Sequence, residues 1–383
     1  MSFPHRSLRV MHVALLCVGM YVAWRCGARV ALLRRKRVLQ PALDGGFRSY
    51  ATQRLSLPRD AAFYAMYACG GWRLAATLGV ESWVLRRIRG YFNAKRRHCL
   101  PDVVSAFARA NGIDDYPTAP FRSVDAFFAR PLRGRPSTWE ADEREHRLSS
   151  PCEGTVVGFL EHQSSEVWIK SKRTTLPTIG IPSAYRGTAM AMALFTLDVH
   201  NIHRVYAPIG GRIVARIDEL DPLTFSHSVR SVAIRSGWDV LSKNRRIVLV
   251  IETRFRTYVS LVVVGGIGIE TIDVAVREGM DVVRGEELAT FHMGGSAVLL
   301  VVPAAQHALP GWLTASTALG HECAVEIGDW VTARREGPAA NDSSVGGVVT
   351  PRLCHAQETS RQSGFTRVES VPVQTTLHTG NQL

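Results

Sequence analysis

The sequence predicts an α+β fold, with helices first and a central antiparallel β-barrel or sandwich after them. Three observations carry this reading. Between 148 and 303, β-branched runs such as "TVVGFL", "SEVWIK", "GRIVARI", "RIVLVIE" and "AVLLVV" are punctuated by Gly, Pro, Asn and Asp, as strands and their turns require. Upstream, residues 61–99 mix aromatic and aliphatic side chains with Arg and Lys at helical intervals. The strand runs follow one another without the regular helical segments of a βαβ alternation, which favours antiparallel pairing.

Taken in order, the chain divides into four segments. Residues 1–43 contain Arg6, Arg9, Arg25, Arg29, Arg34, Arg35, Lys36 and Arg37, and the first acidic residue is Asp44. Within them "LRVMHVALLCVGMYVAW" (8–24) is almost wholly apolar, close to the roughly 20 residues that span a bilayer once an edge Arg snorkels. It predicts a single membrane anchor combined with an acid-poor, Arg-rich targeting sequence of mitochondrial type; a cleaved secretory signal peptide is the alternative. Residues 44–114 predict helices that face the membrane, with Trp, Phe and Leu on one side and Arg on the other. The same pattern suits a helical cap with a solvated basic face. Residues 115–336 hold the strand-rich domain, and the polar, aperiodic 337–383 predict a disordered tail.

The 383 residues are enough for a sizeable core. With 46 Lys and Arg against 33 Asp and Glu, the chain favours anionic partners. Its Arg-rich segments lie beside apolar runs and lack an aromatic stacking platform, so a membrane surface fits better than nucleic acid. Seven cysteines without a Cys-x-x-Cys pair argue against a disulfide framework and a Cys-rich zinc site.

Three distant segments carry the polar groups of interest: "SSPCEGTV" (149–156), "LDVHNIHRVYAP" (197–208) and "HMGGSAV" (292–298). They supply the carboxylate of Glu153, the imidazoles of His200 and His203, and the hydroxyl of Ser296, the parts of an activated nucleophile. Gly-Gly-Ser alone reads as an ordinary turn into a strand. Asp198, His200 and His203 could ligate zinc, but no further metal-spaced His pair accompanies them, and no metal is expected. The turns "APIGGRIVARI" and "EGMDVVRGEELATF" are like those of lipoyl and biotinyl carriers, yet the tip around Gly294 and Gly295 has no acceptor Lys.

Five blocks in order, "FFARPLRGRP" (127–136), "SPCEGTVVG" (150–158), "IHRVYAPIGG" (202–211), "NRRIVLVIETRF" (244–255) and "VREGMDVVRGEELATFHMGGSAVLLVV" (276–302), resemble the phosphatidylserine decarboxylase family over roughly 115–330. The resemblance implies that the chain cleaves its own Gly295–Ser296 bond. Ser296 is then both nucleophile and precursor of a covalent pyruvoyl group, and fragments 1–295 and 296–383 stay associated. Such a carbonyl condenses with a substrate amine and takes up the electrons left when a carboxylate departs as carbon dioxide. Phosphatidylserine becomes phosphatidylethanolamine at an anionic membrane surface, with the mitochondrial inner membrane the expected location and the endoplasmic reticulum or another endomembrane the alternative. Self-association into a homo-oligomer stays open.

By this resemblance His203 acts as base or proton donor, His200 is its substitute, and Glu153 orients or charge-stabilises the base. The chain departs from the family pattern at three points. Glu153 stands where the family has Asp, Tyr206 where it has a second histidine, and Ala297 where Thr or Ser is usual. A member that stays uncleaved and binds lipid or acts as a scaffold is the alternative function.

Overall fold

Aliphatic side chains on both faces of a strand demand two layers to bury them, and the fold supplies a large sheet with a smaller one across it. The computed structural model describes residues 37–41, 47–52, 65–67, 70–87, 90, 101–114, 116–118, 121–141, 146–161, 166–169, 172–175, 189–219, 240–266, 272–294, 296–318 and 321–332. The anchor run 8–24, Gly295 and the tail 337–383 lie outside the described residues. The strands are β1 (Arg37–Pro41), β2 (Phe47–Thr52), β3 (Gly154–Glu161), β4 (Glu166–Ile169), β5 (Lys172–Thr175), β6 (Met190–Leu197), β7 (Arg204–Tyr206) and β8 (Gly211–Glu219). They continue with β9 (Arg246–Glu252), β10 (Tyr258–Gly265), β11 (Ile272–Val274), β12 (Asp281–Val282), β13 (Glu287–Phe291), β14 (Ser296–Pro303) and β15 (Glu322–Val325).

Ten of them form one sheet in the order β12-β8-β9-β10-β14-β6-β3-β15-β1-β2, and three form a second in the order β11-β13-β7. Neighbours in the large sheet run antiparallel, apart from the parallel pair β1 and β15. The α+β class and the antiparallel pattern hold, but the large sheet is open, so the expected barrel is corrected. Two local features explain this. At one edge β12 contributes only the pairs Asp281–Arg212 and Val282–Gly211. At the other, β1 occupies the side of β15 that a closing strand would need, and β2 extends the sheet further.

Strand β14 sits fifth from the β12 edge of this order, between β10 and β6, and all eight of its residues are buried. Its alternation sorts them into two cores. Ala297, Leu299 and Val301 join Val157, Met192, Leu194, Val248 and Val262 on one face. Val298, Leu300 and Val302 join Phe195, Leu249 and Leu261 on the other, where Val205, Ile272, Leu288 and Phe291 of the three-stranded sheet close the layer. A strand buried on both sides reads as an unbroken aliphatic run, which is the form of "AVLLVV".

The helices are α1 (Gly71–Thr77), α2 (Pro101–Ala110), α3 (Val124–Phe128), α4 (Val240–Lys243) and α5 (Gly311–Ala318), with a further helical stretch at 81–87. Ser123 caps α3 by accepting from the Ala126 amide at 3.1 Å, a standard use of an N-cap serine. Val104 and Ala108 of α2 pack with Val124 and Phe127 of α3 around Ile113. Helices therefore dominate the described part of 61–114, whereas 47–52, within the segment expected to be helical, is strand β2. Among the described residues no helix is long and apolar enough to cross a membrane.

Candidate active site

Ser296 opens β14, paired with Leu197 of β6 and Gly265 of β10. Its side chain is fully buried, and among the described residues its Oγ has no hydrogen-bond partner. Strand alternation gives it the orientation of Val298 and Leu300, toward the layer between the two sheets. A buried hydroxyl without a partner costs about 1–3 kcal/mol relative to one that is satisfied. Such a group in the middle of a packed layer marks a reactive position better than the Gly-Gly-Ser motif does.

His203 is the second group of this kind. It precedes β7, is fully buried, and among the described residues its Nε2 has no hydrogen-bond partner. Its Nδ1 lies 2.9 Å from the Asn201 carbonyl oxygen. A carbonyl only accepts, so Nδ1 carries the proton and Nε2 presents a lone pair. Burial is the main reason that the His203 pKa falls to about 3, with the nearby Arg130 adding to the fall and the Asn201 carbonyl opposing it. At neutral pH the imidazole is uncharged. The Phe128 ring stacks on it with centroids 3.6 Å apart.

The loop before His203 is fixed from two directions. Glu153 Oε1 accepts from Asn201 Nδ2 at 2.7 Å and Oε2 accepts from the Ile202 amide at 3.1 Å. Asn201 Oδ1 in turn accepts from the Asp198 amide at 2.7 Å. Glu153 thus meets His203 through the backbone that carries it. The carboxylate can sit there because Gly154, at φ +149°, lets β3 start against β6; a Cβ at that position would lie 2.4 Å from the Thr196 carbonyl oxygen. From the other side Arg130 donates to the His200 carbonyl at 2.5 Å.

His200 itself is exposed, so the structure brings its backbone to the site and leaves its ring at the surface. Tyr206 follows the opposite alternation from His203 and Val205. Its buried ring lies against Trp139, centroids 5.3 Å apart, and its pKa is raised chiefly by burial. Arg204, on that same side of β7, pairs with Glu287. Ala297 points into the other core, away from Ser296. Among the described residues no three His, Cys, Asp or Glu side chains are arranged to hold a metal.

Sequence reasoning used the Phe-Phe-x-Arg block only as a fingerprint and missed what it does. From α3 and the residue pair after it, Phe128 covers His203, Arg130 holds the His200 carbonyl, and Asp125 reaches the segment ahead of Ser296. Asp125 Oδ1 accepts from the Met293 amide at 2.7 Å, and Oδ2 lies 2.6 Å from His292 Nδ1. Buried Asp125 on a short capped helix was the available signal. At the far end of the same segment, the Phe291 amide donates to the His203 carbonyl at 2.8 Å.

The phosphatidylserine decarboxylase family model matches residues 124–323, from the first residue of α3 into β15. The chain belongs to the phosphatidylserine decarboxylase family. Phosphatidylserine decarboxylase proenzyme 2 of Komagataella phaffii is 27% identical over 217 residues, covering 54% of this chain and 21% of the relative. The Halorhodospira halophila phosphatidylserine decarboxylase proenzyme is 31% identical over 212 residues, 49% of this chain and 68% of the relative. The Chlamydia trachomatis proenzyme is 26% identical over 190 residues, 48% and 61% of the two chains. The chain spans about a fifth of the length of the fungal relatives it matches. The family match covers both partnerless groups, His203 and Ser296, together with Glu153 and Asp125.

Proposed function

We propose that this chain is a proenzyme that cleaves itself between Gly295 and Ser296 and then decarboxylates phosphatidylserine to phosphatidylethanolamine at a membrane surface. The observation that carries the reading is that two groups, the Ser296 hydroxyl and the His203 Nε2 lone pair, are each buried with no hydrogen-bond partner among the described residues, on or next to strands β14 and β7, which pack into the same core. Membership of a family whose relatives are named proenzymes supports the self-processing part.

In the first step His203 Nε2 takes the Ser296 proton while Oγ attacks the Gly295 carbonyl carbon, and the Gly295–Ser296 amide becomes an ester. Loss of the Ser296 α-proton expels the Gly295 carboxylate. Water then replaces the freed nitrogen, which leaves as ammonia, and a pyruvoyl group stands at residue 296. Glu153 keeps the His203 loop in place through Asn201 and Ile202, and Phe128 keeps water off the imidazole. The residues fit the group: its precursor hydroxyl is buried without a partner at the start of a central strand. A pyruvoyl carbonyl supplies the electron sink for loss of a carboxylate from an amine-bearing substrate. The neutral His203 ring, with its one accessible lone pair, is the group of this layer that can take and return a proton. The apolar run 8–24 and the net charge of +13 support a membrane-held enzyme acting on an anionic lipid.

The test is intact-mass spectrometry of the full chain beside Ser296→Ala. Two fragments split after residue 295, the smaller blocked at its N-terminus by a hydroxylamine-reactive carbonyl, are expected for the wild type alone. A folded wild type that remains a single chain overturns the reading in favour of an uncleaved lipid-binding protein.

A further inference from the structure

The residue three places ahead of the scissile glycine is held in an unusual way. His292 is three-quarters buried and presents each ring nitrogen to a carboxylate: Nδ1 lies 2.6 Å from Asp125 Oδ2 and Nε2 lies 2.8 Å from Asp273 Oδ2. Asp125 comes from α3 and is mostly buried, whereas Asp273 comes from β11 and is 65% exposed. The next residue is tied to the same group, because the Met293 amide donates to Asp125 Oδ1. Three elements, α3, β11 and the end of β13, thus converge on one imidazole just ahead of the Gly294-Gly295-Ser296 sequence.

We propose that His292 is a positioning residue for self-cleavage, an imidazolium clamped between Asp125 and Asp273 that fixes the peptide ahead of Ser296. The inference rests on the self-cleaving reading above. It does not make His292 a base, since both nitrogens are occupied. Only the doubly protonated ring satisfies both carboxylates, because neutral imidazole has one N–H and would turn a lone pair toward the other carboxylate. The charged groups that act on it are Asp125 from α3 and Asp273 from β11, and their hydrogen bonds raise its pKa against the lowering effect of burial.

The sign of the pH effect follows. A histidine whose folded pKa is raised keeps its contribution at low pH and loses it as pH rises through that value. The clamp therefore holds while His292 is doubly protonated between its two carboxylates and loosens as pH rises through the raised His292 pKa. Glycines supply no rigidity of their own, so the peptide depends on such an external hold, and a displacement of about 1 Å can cost on the order of a hundredfold in rate.

The experiment follows cleavage of the full chain after cell-free synthesis, chased at a series of pH values, with hydrogen exchange of the 291–294 segment read by mass spectrometry. For the wild type, cleavage is expected to slow as pH rises. His292→Gln is expected to cleave at least tenfold more slowly at the low-pH end, to lack this alkaline limb, and to exchange faster in that segment. Asp273→Asn removes only the exposed partner, so it leaves the fold intact and is expected to move the limb to lower pH. If the wild type cleaves and His292→Gln cleaves at the same rate with the same pH profile, the clamp has no role and the inference fails while the self-cleaving reading stands. If Asp273→Asn leaves the limb where it was, the two-carboxylate account fails. A wild type that never cleaves removes the self-cleaving reading and the positioning role together.

Discussion

At the scale of single residues, the site is a balance between burial and need. The proposed role of His203 as a base requires a neutral ring, and the ring is neutral because it is buried. That burial has a thermodynamic consequence which can be measured apart from any activity. The unfolded chain binds a proton at this position near the ordinary histidine value of about 6.5, whereas the folded chain refuses it down to about 3. Below the unfolded value the contribution is lost by about 1.4 kcal/mol for each pH unit, until the folded pKa is reached. Denaturant titrations of the Ser296→Ala chain between pH 7 and pH 4 should show this slope, and His203→Gln in the same background should lose about one proton's worth of it. Equal slopes would mean that His203 is not the buried neutral base described above.

The same scale shows what the sequence could and could not reveal. Ser296, His203 and Glu153 could be singled out in the sequence because a hydroxyl, an imidazole and a carboxylate are the parts of an activated nucleophile. Their connection was not. Glu153 was expected to act on the base, and it acts on Asn201 and Ile202, whose backbone sets the ring. A contact between a side chain and a backbone amide leaves no trace in residue type at the donating end. Asp125 and His292 are 167 positions apart, with no local pattern to link them, and so the clamp was invisible until the chain was folded.

At the scale of elements, strand β3 is the piece that lets the site exist. It begins at Gly154 immediately after Glu153, and the space a side chain would need is already filled by the Thr196 carbonyl of β6. Gly154→Ala combines that overlap with a φ of +149°, for which strain alone costs about 1–3 kcal/mol. The expected outcome is a lower melting temperature together with slower cleavage, because β3 must shift and carry Glu153 with it. Retention of both would show that the strand start tolerates displacement. Helix α3 has a comparable role from the opposite side. In the sequence the Phe-Phe-x-Arg block was only a family fingerprint, since the contacts of α3 and the two residues after it go to two segments far away in the chain, around His200–His203 and at Met293. The barrel expectation failed at this scale too: strand count and alternation are local properties, whereas closure depends on which strand takes each edge, and β1 and β2 lie more than 100 residues from the sheet's other members in sequence.

At the scale of the whole molecule, the proposed cleavage point falls at the first residue of a central strand. After the break, residues 296–303 would still face eight residues of β6 and six of β10 across antiparallel ladders, with both faces of the strand in packed cores. The two fragments should therefore elute together in size-exclusion chromatography under native conditions and separate only in denaturant. Separation in native buffer would contradict the sheet order. The measurement needs no substrate and no lipid.

Because Ser296 takes its buried place only when β14 lies between β10 and β6, the proposed peptide break would be a permanent mark that the sheet was completed. A chain whose strands pair wrongly keeps its serine, and no carbonyl can form in it. Correct assembly thereby becomes a condition of reactivity, and a molecule that later loses part of its fold still carries the scar of having once attained it.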